Sequence, residues 1–278
     1  MEKPIVSVNI QGGLGNQMFQ LAAAYAYAKK NNGTLQILKN KKYYDSRPLY
    51  WDSVLQRFQK YLVDSLPNNL NEWVETEATL FHNLPDLKSE GILFNGYLQS
   101  PKYFFDNDTE NEIKDLFLPT EDILNYINNK FRLLINNKDR VIVIHARRTD
   151  YLRNQDIINF HGPLSVDYYK NAIKKINCYV QNPIYILASD DVSFWQDVIK
   201  ECNELNENNI VILKDENEIT TLALLQQFNK FIIANSTFSW WAAYLSKEYK
   251  KVIAPAKWFG PTGPKNYKDI YCSDWELV

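Results

Sequence analysis

From Val141 onward the chain alternates short apolar runs with amphipathic stretches, and this pattern admits few folds. The runs are Val141–Ile144, Ile184–Ala188, Ile210–Leu213, Phe231–Ala234 and Lys251–Ala254. Between them lie helix-like segments at Val166–Ile176, Ser193–Leu205, Ile219–Phe228 and Phe238–Leu245. Strands that are apolar throughout must be covered on both faces, and helical crossovers between them make the sheet parallel. Five strands and four crossovers predict one complete Rossmann-like lobe.

The first half is less regular. A strand at Ile5–Ile10, a helix at Gln17–Asn31 and a strand at Leu35–Leu38 form a βαβ-like unit. Residues 40–90 show few clear periods. A strand at Ile92–Tyr97 and helices near Glu110–Leu116 and Glu121–Asn136 follow. The polar break Asn136-Asn137-Lys138-Asp139 is the expected boundary between two α/β lobes, residues 1–137 and 138–278. Open α/β sheets bind ligands at the carboxyl ends of their strands, so polar turns there are the places to look for chemistry.

Gly12-Gly13-Leu14-Gly15-Asn16-Gln17 follows the first strand. It lacks the Gly-Lys-Ser/Thr of a P-loop, and Met18 stands where a dinucleotide fingerprint has its third glycine. What remains is a turn in which Gly13 and Gly15 bring backbone close to a ligand while Asn16 and Gln17 project from the helix start; a plain tight turn using positive φ is the competing reading. His145-Ala146-Arg147-Arg148-Thr149-Asp150 follows the first strand of the second half. Strand alternation puts His145 and Arg147 on one side and turns Arg148 away, towards Asp150. Arg147 suits two-pronged contact with a phosphate, whereas Arg148 and Asp150 read as a structural pair.

Asn235-Ser236-Thr237-Phe238-Ser239-Trp240-Trp241 opens a helix after the fourth strand. Ser236 or Thr237 either caps that helix or joins its N–H groups in holding an anion. The two tryptophans cannot face one direction, so at least one belongs to the core. Asp190 and Asp191, after the second strand, are helix caps or contacts to a ribose or guanine; Asp215 and Glu218, after the third, carry the same chemistry.

Composition narrows the partners. A net charge of −2 over 278 residues gives no electrostatic case for nucleic acid. Three cysteines without C-x-x-C spacing suit a reducing compartment. Three histidines, none spaced with another His or Cys as metal ligands are, leave no metal site to expect. The start passes directly into a strand without a signal-peptide pattern, and no apolar run approaches the length of a spanning helix. A cytoplasmic protein is expected, with room for peripheral association at the inner face of a membrane.

Together the turn Gly12–Gln20 and the segments His145–Asp150 and Asn235–Leu245 resemble the bacterial α-1,2-fucosyltransferases of glycosyltransferase family 11. The resemblance runs from Ile5 to the Trp258 region. It implies a GT-B-like fold, two Rossmann-like lobes with parallel sheets around a central cleft, the first on the acceptor side and the second holding GDP-fucose. It further implies an inverting, metal-independent enzyme without a cofactor. That enzyme would transfer L-fucose from GDP-β-L-fucose to the 2-hydroxyl of a galactose-terminated glycan, such as a membrane-bound surface-glycan precursor. Under it Arg147 contacts the diphosphate, His145 lines the donor site, Ser236 and Thr237 hold phosphate beside Asn235, and Asn16 reaches in from the first lobe. Asp190, Asp215 and Glu218 stand as candidates for reading the nucleoside.

The chemistry agrees: fucosyl–phosphate cleavage leaves negative charge on the departing phosphate, which Arg147 and helix N–H groups can stabilise. No residue announces itself as the base for the acceptor hydroxyl, though His145 is a candidate. Rival expectations are a fucosyltransferase of other linkage, another nucleotide-sugar transferase, and a non-catalytic two-lobed sugar-binding protein.

Overall fold

The computed structural model describes residues 2–40, 47–105, 109–246 and 250–278. The chain forms two compact units: Met1–Leu118 with Asn266–Cys272, and Pro119–Lys265 with Ser273–Val278.

The first unit begins with β1 (Ile5–Val8) and α1 (Leu14–Lys30). Helix α1 is buried almost all round, and its run Ala22-Ala23-Ala24 lets it lie close against β1. Short strands follow, β2 (Thr34–Leu35), β3 (Ile37–Leu38), β4 (Leu62–Val63), β5 (Asn71–Val74) and β6 (Ile92–Asn95), and then α2 (Glu110–Leu116). The main sheet has the order β2-β1-β6-β5, entirely parallel, with Val6 opposite Leu35 on one side and Ile92 on the other. Strands β3 and β4 pair separately, also in parallel. The expected Leu35–Leu38 strand is thus two strands serving two sheets.

The second unit starts with α3 (Glu121–Lys130), capped by the Thr120 side chain, and α4 (Arg132–Ile135). These replace the single helix expected to Asn136; the break falls at Phe131. Helix α3 packs on a later helix of this unit, and its Lys130 pairs with Glu216 at 2.5 Å. The division therefore falls at Leu118–Pro119, and the polar break at Asn136–Asp139 is a turn within the second unit leading into its first strand.

That strand is β7 (Val141–Ala146), followed by α5 (Gln155–His161), α6 (Val166–Ile176), β8 (Ile184–Ser189) and α7 (Phe194–Glu201). Next come β9 (Ile210–Ile212), α8 (Glu218–Leu225), β10 (Lys230–Ile232), α9 (Thr237–Tyr244), β11 (Lys251–Ala254) and β12 (Glu276–Leu277). All six strands are parallel in the order β12-β11-β10-β7-β8-β9. Numbered by appearance within the unit this is 6-5-4-1-2-3, the doubly wound dinucleotide-fold order. Strand β7 is buried at every position, and one core face joins Ile142 and Ile144 to Tyr169, Ile173 and Trp195. The sixth strand and α5 were not expected: β12 is two residues long, and α5 has no fully buried face to impose a helical period. Among the described residues no helix is long and apolar enough to cross a membrane.

Candidate functional site

The order of the second sheet reverses between β7 and β10, and in such sheets the crevice beyond the strand ends at that reversal is where ligands bind. The segments singled out in the sequence sit there: His145 to Asp150 at the end of β7, and Asn235 to Thr237 at the end of β10.

The two arginines do not divide as strand alternation predicts. Extended backbone ends at Ala146, and the chain turns into a short 3-10 segment at Asp150–Leu152. Arg147, not Arg148, makes the pair with Asp150, donating from Nε to Oδ1 at 2.8 Å and from Nη2 to Oδ2 at 2.6 Å. Its Nη1 lies 3.3 Å from Asp190 Oδ2. Burial alone would lower the pKa of Arg147, but the two carboxylates hold it above its ordinary value. Arg148 turns inward. Its guanidinium carbon lies 4.2 Å from the centre of the Phe194 ring, and its Nη1 donates to the Leu164 carbonyl at 3.1 Å. The lateral pair expected of Arg148 and Asp150 is therefore replaced by a stacked, inward Arg148 and a carboxylate-braced Arg147.

Asp190 is the clamp of this turn. It accepts from the Arg148 amide at 2.8 Å, the Thr149 amide at 3.3 Å and the Thr149 hydroxyl at 2.5 Å, besides facing Arg147. With its oxygens so engaged, Asp190 orients the arginine turn. Asp191 does cap locally, accepting from the Ser193 amide and hydroxyl.

His145 is buried on β7, its ring centre 5.2 Å from that of Phe238, with Tyr169 Oη donating to its carbonyl at 3.2 Å. Its Nδ1 is buried and has no hydrogen-bond partner among the described residues. Burial first, and the Arg147 charge second, push its pKa down to about 4, against a weaker opposing pull from Asp190. The imidazole is therefore neutral at pH 7 and a weak base. Above pH 6.5 both folded and unfolded chains hold it neutral. Between pH 6.5 and about 4 the unfolded chain takes up a proton that the folded one refuses, so stability falls as pH drops through this window, by about 3 kcal/mol in all. Melting curves from pH 4 to 7 should fall more steeply on the acid side for the wild type than for His145→Gln. Parallel curves would contradict the buried neutral imidazole.

At the end of β10 the assignments separate. The Asn235 amide nitrogen donates to the carbonyls of His161 at 2.7 Å, Trp258 at 3.0 Å and Gly162 at 3.2 Å. Its main-chain carbonyl accepts from Tyr151 Oη at 2.9 Å. Asn235 is thus a knot tying three segments, while its side-chain Oδ1 is buried without a hydrogen-bond partner among the described residues. The knot tightens at Gly162, whose φ of +62° suits glycine and where a Cβ would approach Gly260 to 2.9 Å. Ser236 occupies the N-cap position of α9, yet no side chain caps the helix, and the Ser236 hydroxyl makes no hydrogen bond among the described residues. Thr237 opens the helix half-buried beside it. Trp240 and Trp241 are both fully buried.

Asp215 and Glu218 lie at the edge of the sheet, after β9, about 10 Å from the β7 end at the usual strand spacing. Asp215 is exposed, with φ +64°, and Glu218 begins α8 behind the Asn217 cap. Sequence reasoning passed over Tyr151 and His161, whose rings stack at 4.1 Å between centres and 8° apart beside Arg147 and Asp150. Their aromatic character ten residues apart is the one signal that was available.

In the first unit, Gly12 has φ +77°, and a Cβ there would collide with the Asn16 amide packed over it. Asn16 Oδ1 accepts from Gln99 Nε2 at 2.9 Å. Gln17, expected to project, turns inward and donates to the carbonyls of Gly12 at 3.0 Å and Pro48 at 2.8 Å. Gly13 is the N-cap of α1, and a Cβ there would meet nothing within 4 Å. Its lack of a side chain thus answers no internal packing demand. Gly15 lies buried in the first turn. Among the described residues no three His, Cys, Asp or Glu side chains gather as metal ligands.

Comparison with known proteins gives the same grouping. Glycosyl transferase family 11 matches residues 2–278. The O-antigen biosynthesis glycosyltransferase WbnK of Escherichia coli is 29% identical over 90% of this chain and 93% of its own. An Escherichia coli alpha-1,2-colitosyltransferase is 26% identical over 92% of both. Galactoside alpha-(1,2)-fucosyltransferase 2 of Hylobates lar is 25% identical over 86% of this chain and 68% of its own. Among solved structures, fucosyltransferase NodZ from Bradyrhizobium superposes with a TM-score of 0.58 at 13% identity, covering 87% of this chain and 92% of that one. A point mutant of Arabidopsis thaliana FUT1 in complex with GDP superposes with 0.57 at 14%, covering 91% and 70%. These likenesses bear out the GT-B-like class of two α/β units with parallel sheets. With its motifs in order and the match running the length of the sequence, the chain belongs to glycosyl transferase family 11.

Proposed function

We propose that the protein transfers L-fucose from GDP-β-L-fucose to the 2-hydroxyl of a terminal galactose, with inversion and without a metal ion. The observation that carries this reading is Arg147, braced by Asp150 and Asp190 at the β7–β10 reversal, next to an α9 N-terminus that no side chain caps. Three protein contacts leave the guanidinium N–H groups to spare, since arginine carries five donors.

The acceptor oxygen attacks the anomeric carbon as the bond to the β-phosphate oxygen breaks, and GDP departs with the bonding pair. Arg147, the first N–H groups of α9 and the hydroxyls of Ser236 and Thr237 stabilise that developing negative charge. The acceptor proton passes to a base among groups other than His145, whose depressed pKa disfavours that role. His145 instead offers a neutral ring nitrogen to the donor. Gly13, Gly15 and Asn16 are proposed as the substrate-contacting turn of the first unit, and Asp215 and Glu218 as the groups nearest a guanosine extended over β8. The linkage and the galactoside acceptor follow the names of the α-1,2 relatives. A colitosyl donor is the second reading, favoured by the relative named for that transfer.

Nucleotide-dependent melting tests the donor. GDP should raise Tm, by the equivalent of about 2.7 kcal/mol at a hundredfold excess over Kd, while UDP at equal concentration should not. Equal shifts with both would remove guanine recognition, and sugar binding without any nucleotide effect would favour a non-catalytic sugar-binding protein.

A further inference from the structure

A concavity of about 470 Å3 opens in the first unit at the carboxyl-terminal end of α1, within the size range of small-molecule sites. Tyr27 and Lys30 of the last helical turns line it, with residues around Leu84 and around Tyr103. Its Lys30 end lies about 20 Å along α1 from Asn16. It shares no residue with the site at the β7–β10 reversal.

Its walls combine fixed aromatic rings with solvent-exposed polar groups. Tyr27 is held by its hydroxyl, which donates to the Pro85 carbonyl at 2.6 Å, and Phe81 packs on Tyr103 with ring centres 5.0 Å apart. Phe105 stands at the rim, 56% exposed. Lys30, Asn83 and Asp86 line the same space and make no hydrogen bond among the described residues. They supply a donor, a donor–acceptor pair and an acceptor.

This set matches a sugar ring, which presents C–H faces to aromatics and hydroxyls that both donate and accept. Lys102, also in the wall, is neutralised by Asp269 at 2.6 Å, and Lys30 and Asp86 balance one another, which suits an uncharged sugar.

We propose that this concavity is a second saccharide subsite, holding a neutral hexose of the acceptor glycan other than the galactose that receives fucose. The proposal rests on the reading of the chain as a transferase with a glycan acceptor.

Phe105→Ala and Asn83→Ala test it; both side chains are exposed, so folding is not at stake. The probes are lactose and the galactose-terminated tetrasaccharide lacto-N-neotetraose, measured by calorimetry and by transfer kinetics. Each variant should raise Kd and KM for the tetrasaccharide about fivefold, the scale of one aromatic or polar contact. The KM for lactose and both kcat values should stay unchanged. Unaltered tetrasaccharide binding in both variants, or equal losses for the two sugars, would overturn the subsite. If the wild type transfers fucose to neither sugar, the transferase reading fails, and the calorimetric comparison of tetrasaccharide binding still decides the subsite.

Discussion

Replacing Arg147 by lysine is expected to lower kcat/KM for fucosyl transfer by about 100-fold or more, the scale of losing one preorganised transition-state donor. Lysine keeps the charge but loses the planar fork that lets one group be held by Asp150 from one side and face a phosphate from another. Arg148→Lys should divide differently. Its guanidinium lies over Phe194 and bonds the Leu164 carbonyl, so the loss should appear mainly in Tm. Kinetics and melting curves for the two variants, run side by side, check this. An active Arg147→Lys with a dead but stable Arg148→Lys would reverse the assignment.

The second large effect is on stability. Asn235→Ala removes one amide that serves three carbonyls in a buried setting, leaving those carbonyls and a small void behind. A loss of roughly 3 kcal/mol is expected, since each buried group left unpaired is costly. For a unit of this size that corresponds to about 10 °C in Tm. Differential scanning calorimetry measures it. A normal Tm accompanied by lost GDP binding would return Asn235 to the ligand contacts.

These two residues also show where the sequence is legible and where it is not. Helices α2 and α6 end at the residues expected, because their apolar faces pack on one side only and impress the helical period on the chain. The parallel lobe is equally plain, since strands as buried as β7 and β8 admit little but aliphatic side chains. Edge strand β5 is mostly exposed and shows no apolar alternation, and β12 is too short to show any period.

At the site, alternation is informative only while the backbone stays extended. It carries His145 correctly, but the turn after Ala146 swaps the partners of Arg147 and Arg148. Asp190 and Asn235 read as ligand contacts because they are polar residues at strand ends. Their hydrogen-bond partners, at Arg148 and Thr149 in one case and at His161, Gly162 and Trp258 in the other, are brought near only by the fold. Single-chain pattern cannot announce contacts of that range.

Fucosyl transfer at the 2-hydroxyl is the central claim, and a donor panel tests it most directly. Purified protein is incubated with lactose and, in turn, GDP-β-L-fucose, GDP-colitose, GDP-mannose and UDP-galactose, and the products are identified by NMR. Turnover is expected with GDP-β-L-fucose, giving an α-linked fucose on O2 of galactose, and little with GDP-mannose or UDP-galactose. Preference for GDP-colitose would select the second reading. Turnover with UDP-galactose, or fucose delivered to another hydroxyl or with retained configuration, would contradict the central claim.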